Sequence, residues 1–299
     1  MRKLIAAFVL LLAADASAAV KVVATVPDLA ALAKAVGGDK VSVTSLALPT
    51  QDPHFVDAKP SLVIDVNAAD VLLAVGLELE IGWLPVLQTS SRNPKIMLGG
   101  TGFLDCSRFV KLMDVPDRPV DRSQGDIHPG GNPHYLHDPR AVAAVARGIA
   151  DKLAEVDSAN AAVYHKNLAA FESQLDAARA RWEARMAPFR GAPILQYHRS
   201  WVYMVDWLGL DTIEYVEPKP GIPPTATHVA HVLTLGKQKK VKAILQESFY
   251  PDATSDVLAQ KIPTSVVILP GGTNVKGGQT YIQHMEEIVT AIEKALSKS

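Results

Sequence analysis

Hydrophobic residues recur along this 299-residue chain in two alternating rhythms. Short β-branched runs at residues 21–25, 41–48 and 70–75 are separated by helical spacing at 28–36 and 60–66, and a further helix is expected before 95–98. Gly37-Gly38 would stop the first helix, because glycine enters the left-handed conformation that closes a helix without steric cost. Strands alternating with helices at this period predict βα units and a parallel sheet. Residues 103–140 carry no such rhythm and read as irregular.

A different pattern comes next. Residues 140–156 place Val142, Val145, Ile149 and Leu153 on one helical face, and a second helix over 159–186 carries Leu168, Phe171, Leu175 and Ala178 before Pro188 ends it. A helix of that length extends for about 40 Å, the diameter of a small domain, so it is expected to link two lobes. The βα rhythm then resumes, with strands at 193–196, 211–216, 242–246 and 266–269 and helices at 200–208, 225–236, 254–260 and 280–296. The predicted fold is α/β: two βα lobes with parallel sheets, joined by a long rigid linker helix. The expected divisions are a leader over 1–18, a first lobe over 19–156, the linker over 157–190 and a second lobe over 191–299.

Composition narrows the partners. Thirty Lys and Arg against 31 Asp and Glu leave a net charge of −1, which argues against nucleic acid, whose binders carry a basic surplus. At the N-terminus, Arg2 and Lys3 precede an apolar run over 4–14 and the small residues Ala16-Ser17-Ala18, the three parts of a secretory leader cleaved after Ala18. The single cysteine, Cys106, allows no intramolecular disulfide and does not follow the apolar run, so no lipid anchor is expected. An exported, unanchored protein points to the periplasm, and a monomer is expected.

The candidate chemistry is histidine. The stretch 126–139 reads D-I-H-P-G-G-N-P-H-Y-L-H-D-P and holds His128, His134 and His137. Its prolines and glycines make it a loop, ended by Asp138 as a helix cap with Pro139 at the first helical position. His54 follows the second strand, His198 follows the strand at 193–196, and Glu247 directly follows the strand at 242–246. Ligands of open α/β sheets bind beyond the carboxyl ends of the strands, so these three and His134 could converge in one inter-lobe cleft. Spacing alone does not single them out, because such long gaps have no local signature. His137 fits a role in the turn, His228 and His231 read as solvated residues on one helix, and His165 reads as the outer face of the long helix.

The flanking residues sharpen this. D-P-H at 52–54, N-P-H-Y-L-H-D-P at 132–139 and Y-H-R-S-W-V-Y at 197–203, in that order and with the long helix between the second and third, resemble the solute-binding receptors of bacterial ABC importers for zinc and manganese, the ZnuA/TroA-like family. G-L at 209–210 and E-P at 217–218 fit as well, and the resemblance covers essentially the whole chain after the leader. It implies two α/β lobes on a helical backbone and one metal held by a ligand from each of four loops, with His54, His134 and His198 at the first three positions. The family usually places an aspartate about twelve residues before the tyrosine of the last helix; counting back from Tyr281 reaches Leu269, which cannot ligate.

Glu247 is therefore the first choice for the fourth ligand, ahead of a water and of His128. Three neutral imidazoles favour zinc, with manganese, which leans towards oxygen donors, less expected. The expected function is a periplasmic zinc receptor, not an enzyme. It would deliver the ion to a membrane ABC permease and its ATPase, with a zinc chaperone as a further possible partner, and the 126–139 loop would yield during release. Two rivals stand beside it. An exported zinc hydrolase could use the three histidines with Glu247 as general base, and a metal-free binding or adhesion module could have kept the fold and lost the site.

Overall fold

The computed structural model describes residues 18–120 and 124–298, so the expected leader lies outside the described residues apart from Ala18. Two four-stranded parallel sheets organise the chain. The first contains β1 (Val20–Ala24), β2 (Val41–Ser45), β3 (Val71–Ala74) and β4 (Phe103–Asp105) in the order β2-β1-β3-β4. The second contains β5 (Pro193–Gln196), β6 (Asp211–Tyr215), β7 (Ala243–Glu247) and β8 (Ser265–Leu269) in the equivalent order β6-β5-β7-β8. All described ladders are parallel. The central strands β3 and β7 are buried at every position, as strands covered on both faces must be.

The helices of the first lobe are α1 (Pro27–Gly37), α2 (Pro60–Asn67) and α3 (Leu84–Ser91). Each begins with proline in its first turn, where the absent N–H removes no bond. The fourth strand of this lobe differs from expectation. Residues 95–98, where a strand would follow the expected helix, form none, Lys95 and Ile96 lying in a 3-10 turn at Pro94–Ile96, and the strand is Phe103–Asp105, inside the stretch read as irregular. Three residues with a single buried position are too short to show alternation, and β4 owes its place to pairing with β3 through Leu72–Phe103, Leu73–Leu104 and Ala74–Asp105.

Between the lobes run α4 (Pro139–Val156) and α5 (Ala161–Met186). On α5 the buried residues Tyr164, Leu168, Phe171, Leu175, Ala178, Trp182 and Met186 fall three or four apart, one continuous stripe. The helix packs against α1 and α4 on one side and against the closing helix α9 (Tyr281–Leu296) on the other. Asn167 donates to the Val36 carbonyl at 2.9 Å in the first lobe, while Trp182 donates to Glu286 at 2.7 Å and Arg185 pairs with Glu286 and Glu293 in the second. One hydrophobic core therefore runs from Val22 and Leu29 through Leu168 to Ile194 and Ile288. The second lobe is completed by α6 (Val202–Leu208), α7 (Ala226–Gln238) and α8 (Ala253–Lys261).

Identical strand order in the two lobes gives each sheet a switch point, β1/β3 in the first and β5/β7 in the second, where loops leave in opposite directions and open a crevice. Asp28, at the mouth of the first, accepts from the Thr273 backbone at 3.0 Å and from its hydroxyl, a buried tie between the lobes.

Candidate metal centre

Each of three loops presents one imidazole to this crevice. His54 follows β2 in a turn closed by Asp52, whose Oδ1 accepts from the His54 backbone at 2.9 Å and lies 2.7 Å from its Nδ1. Burial alone would raise the Asp52 carboxyl, but the hydrogen bonds and charge of His54, helped by His198, bring it below the usual carboxylate range. Trp83 donates its indole N–H to the Pro53 carbonyl at 2.9 Å and pins the same turn.

His134 sits in the second loop in a turn of the same kind, its N–H donated to Asn132 Oδ1 at 2.9 Å. Buried tyrosines fix the backbone on either side of it. Tyr135 donates to the Val75 carbonyl at 2.6 Å, Tyr203 to the Asn132 carbonyl at 2.9 Å and Tyr281 to the Leu136 carbonyl at 2.7 Å. The loop is thus two segments: 132–139 is tied to both lobes by these hydroxyls, whereas 126–131 has none of them. Asp138 caps α4 as expected, accepting from the Arg140 backbone at 2.8 Å.

His198 lies two residues beyond β5, 3% exposed, with Nδ1 2.7 Å from Glu217 Oε2. That oxygen also accepts from the Gly221 backbone at 2.9 Å.

The three rings form a nearly equilateral triangle, with centroids 5.3, 5.4 and 5.4 Å apart. One nitrogen from each lies within 4.8 Å of the others. Carboxylates on Nδ1 of His54 and His198 hold the proton on that side and leave the Nε2 lone pairs to face inward, the arrangement by which hydrogen-bond partners orient imidazole ligands. His134 Nε2 is buried with no hydrogen-bond partner. Burial, and then the neighbouring His54 and His198, hold the His134 imidazole well below the ordinary histidine value, so it is neutral and able to ligate near neutral pH. A buried acceptor without a donor is costly, and a cation at the centre of the triangle would satisfy all three nitrogens at once.

Glu247 ends β7 and is 2% exposed. It pairs in the β7–β8 ladder with Leu269, which is buried. Burial pushes its carboxyl up to about 8 against a hydrogen bond from Ser200, and Oε2 lacks a hydrogen-bond partner. It lines the same small cavity as His54 and His134 but is not in the three-histidine group. His128 is likewise outside that group, its Nε2 3.3 Å from His54 Nε2. A cavity of about 540 Å³, lined in part by Phe55, Trp83, Asp126 and His128, opens beside His54.

The remaining histidines lie elsewhere. His137 is buried with its ring 4.4 Å from Trp201, and burial pushes it down to about 4. His284 is buried on α9 with its Nε2 3.7 Å from Asp28 Oδ1, His228 contacts the Tyr215 carbonyl at 2.9 Å, His231 lies 3.6 Å from Glu214, and His165 is exposed. Sequence reasoning gives no role to Asp52 or Asn132, each two residues before a histidine it positions, and has only the E-P of the resemblance to suggest Glu217.

Two parallel α/β lobes on a shared helical spine, with an imidazole cluster at the crevice between them, define a bilobal α/β protein with a candidate inter-lobe metal centre. The zinc-uptake complex component A (ZnuA, periplasmic) profile matches residues 22–295, and the chain belongs to that family. Its members are substrate-binding components and not enzymes, which supports neither the hydrolase nor the metal-free module. The high-affinity zinc uptake system protein ZnuA of Brucella suis is 25% identical over 167 residues, 55% of this chain and 50% of that protein, so the chain spans about half the length of such relatives. The Yersinia pestis protein of the same name is 24% identical over 87% of this chain and 82% of its own length. Among solved structures, FpvC of Pseudomonas aeruginosa in complex with Mn2+ superposes with a TM-score of 0.78 at 21% identity, covering 94% of this chain and 99% of that one, a likeness of fold.

Proposed function

We propose that this chain is the extracytoplasmic receptor of an ABC importer, capturing a divalent cation, zinc in preference to manganese, and surrendering it to a membrane permease. The observation that carries this is the convergence of His54, His134 and His198 from three loops of two lobes, with the Nε2 of His134 buried and without a partner. Nitrogen donors suit zinc, whereas manganese favours carboxylate, carbonyl and water oxygens. Membership in the zinc-uptake family supports the same choice. The receptor works as a monomer on the extracytoplasmic side of the membrane.

Capture rests on ligation alone. Neutral imidazoles replace the water shell of the ion, and their orientation is fixed in advance by Asp52, Asn132 and Glu217, so little ordering entropy is lost on binding. Surrender requires one loop to move. Three tyrosine bonds hold the His134 segment, which leaves the residues before Asn132 as the part able to yield. The fourth donor is Glu247, as the ladder position beside Leu269 suggests, a water, or His128.

The test is metal content and competition. Protein stripped with chelator and dialysed against equal zinc and manganese should retain one zinc per chain by mass spectrometry, and His134→Ala should retain none. Preferential retention of manganese would overturn the choice of ion, and retention of neither metal would overturn the receptor reading.

A further inference from the structure

We infer that His128 is the fourth metal ligand, so that the site is closed by four imidazoles and the bound ion straps the segment before Asn132 across the crevice. This rests on the receptor reading above. His128 Nε2 stands 3.3 Å from His54 Nε2, and the two rings lie 5.4 Å apart at 30°. Two nitrogens on one tetrahedral zinc, at bond lengths of about 2.0–2.1 Å, are separated by roughly 3.3–3.4 Å. The His54–His128 spacing alone matches two ligands on one ion; His128 stands outside the three-histidine group and has to shift to reach His134 and His198 as well. Asp52 occupies Nδ1 of His54, so the nitrogen facing His128 is the one that also faces the histidine triangle.

The segment carrying His128 is seated on the second lobe. Asp126 donates its backbone N–H to the Pro220 carbonyl at 2.8 Å. Gly221, the residue after Pro220, donates to Glu217, the carboxylate that orients His198. A path of contacts therefore runs from His198 through Glu217 and the 220–221 turn to Asp126 and on to His128. A cation bound by both histidines would close that path into a ring spanning both lobes. Glu247 offers no equivalent: it lies at the floor of the crevice, at the end of a central strand, and cannot follow a moving loop. The turn after His128 supplies the adjustment needed to bring it to the other two rings, since Gly131 at φ +117° takes a conformation open to glycine and donates to the His128 carbonyl at 3.1 Å.

The consequence is selectivity as well as closure. Four neutral nitrogens leave no oxygen donor for manganese and match the tetrahedral preference of zinc. The position left without an aspartate at Leu269 is then filled from the loop that carries His128.

X-ray absorption at the zinc edge counts imidazoles directly, through the outer-shell scattering of the ring. Zinc-loaded wild type should show four, His128→Ala three with one oxygen, and Glu247→Gln four. Chelator competition should show at least about a tenfold loss of zinc affinity in His128→Ala, the scale seen when even an outer partner of a ligand is removed. Three imidazoles in the wild type, or a His128→Ala variant with unchanged count and affinity, would overturn the inference and leave the receptor reading intact; the 3.3 Å contact would then be a hydrogen bond between two rings. A wild type that takes up no zinc would overturn both.

Discussion

Replacing Glu247 with glutamine should stabilise the metal-free protein near neutral pH, and the size of the effect can be worked out. In the fold its carboxyl is pushed up to about 8 by burial, from an ordinary value of 4.5. The folded state therefore holds a proton that the unfolded chain releases once the pH exceeds about 4.5. A group whose value is raised by folding favours the fold fully below its unfolded value and loses that contribution as pH rises towards its folded value. The window here runs from 4.5 to about 8. Between 4.5 and neutrality lie about 2.5 pH units, and at about 1.36 kcal/mol per unit the wild type forfeits roughly 3 kcal/mol by pH 7. Glutamine keeps the shape and the neutral state without that loss. Urea denaturation of chelator-stripped proteins should give nearly equal stabilities around the acid end of the window and a growing advantage for Glu247→Gln towards neutrality. Parallel curves, or a glutamine variant weaker at all pH values, would refute the claim that Glu247 is buried as the neutral acid. If zinc instead strips the proton and takes Glu247 as a ligand, the same variant would lose zinc affinity while gaining metal-free stability, so the two measurements together decide its role.

Three further outcomes are expected from the geometry. His137 is pushed down to about 4 from 6.5 by burial, so the unfolded chain binds the extra proton and stability falls as pH drops through that window, by about 3 kcal/mol in full; His137→Gln should flatten this part of the pH–stability curve, and an unchanged slope would refute it. Thr273→Val removes the hydroxyl donor to the buried Asp28 between the lobes and should destabilise the chain by about 1–3 kcal/mol in thermal or urea unfolding. Tyr281→Phe leaves the Leu136 carbonyl without its 2.7 Å donor beside the His134 turn, and should speed zinc dissociation in stopped-flow chelator exchange while the ligand count stays the same.

Much of the fold is legible because its strands and helices are long enough to show a period. The stripe on α5 from Tyr164 to Met186 and the buried runs of β3 and β7 announce a packed helix and covered parallel strands. The hidden parts are held by partners distant in sequence. β4 is a strand only because β3 offers it an edge, and its three residues contain no rhythm of their own. The deformability expected of the whole 126–139 loop, from its prolines and glycines, is overridden in its second half by hydroxyls from Tyr203 and Tyr281, which lie 71 residues beyond Asn132 and 145 beyond Leu136. Local composition describes what a backbone can do, and long-range hydrogen bonds decide what it does.

The same division governs the site. His54 and His134 are legible through flanking motifs for a physical reason: Asp52 and Asn132 sit two residues upstream because an oxygen at that spacing closes the turn from which the ring projects. A motif is readable when the orienting group is local. The fourth position lacks such a signature on either candidate. Glu247 is favoured by its place at a strand end, where sheet logic puts ligands, and the fold does put it beside Leu269 at the crevice floor. But a strand end fixes its carboxyl in the sheet, whereas His128 brings a ring nitrogen to within 3.3 Å of His54 Nε2 from a loop segment seated on the Pro220 turn. A ligand delivered by the loop can leave with the loop, which is the property an import receptor needs and which a residue fixed in a central strand cannot supply.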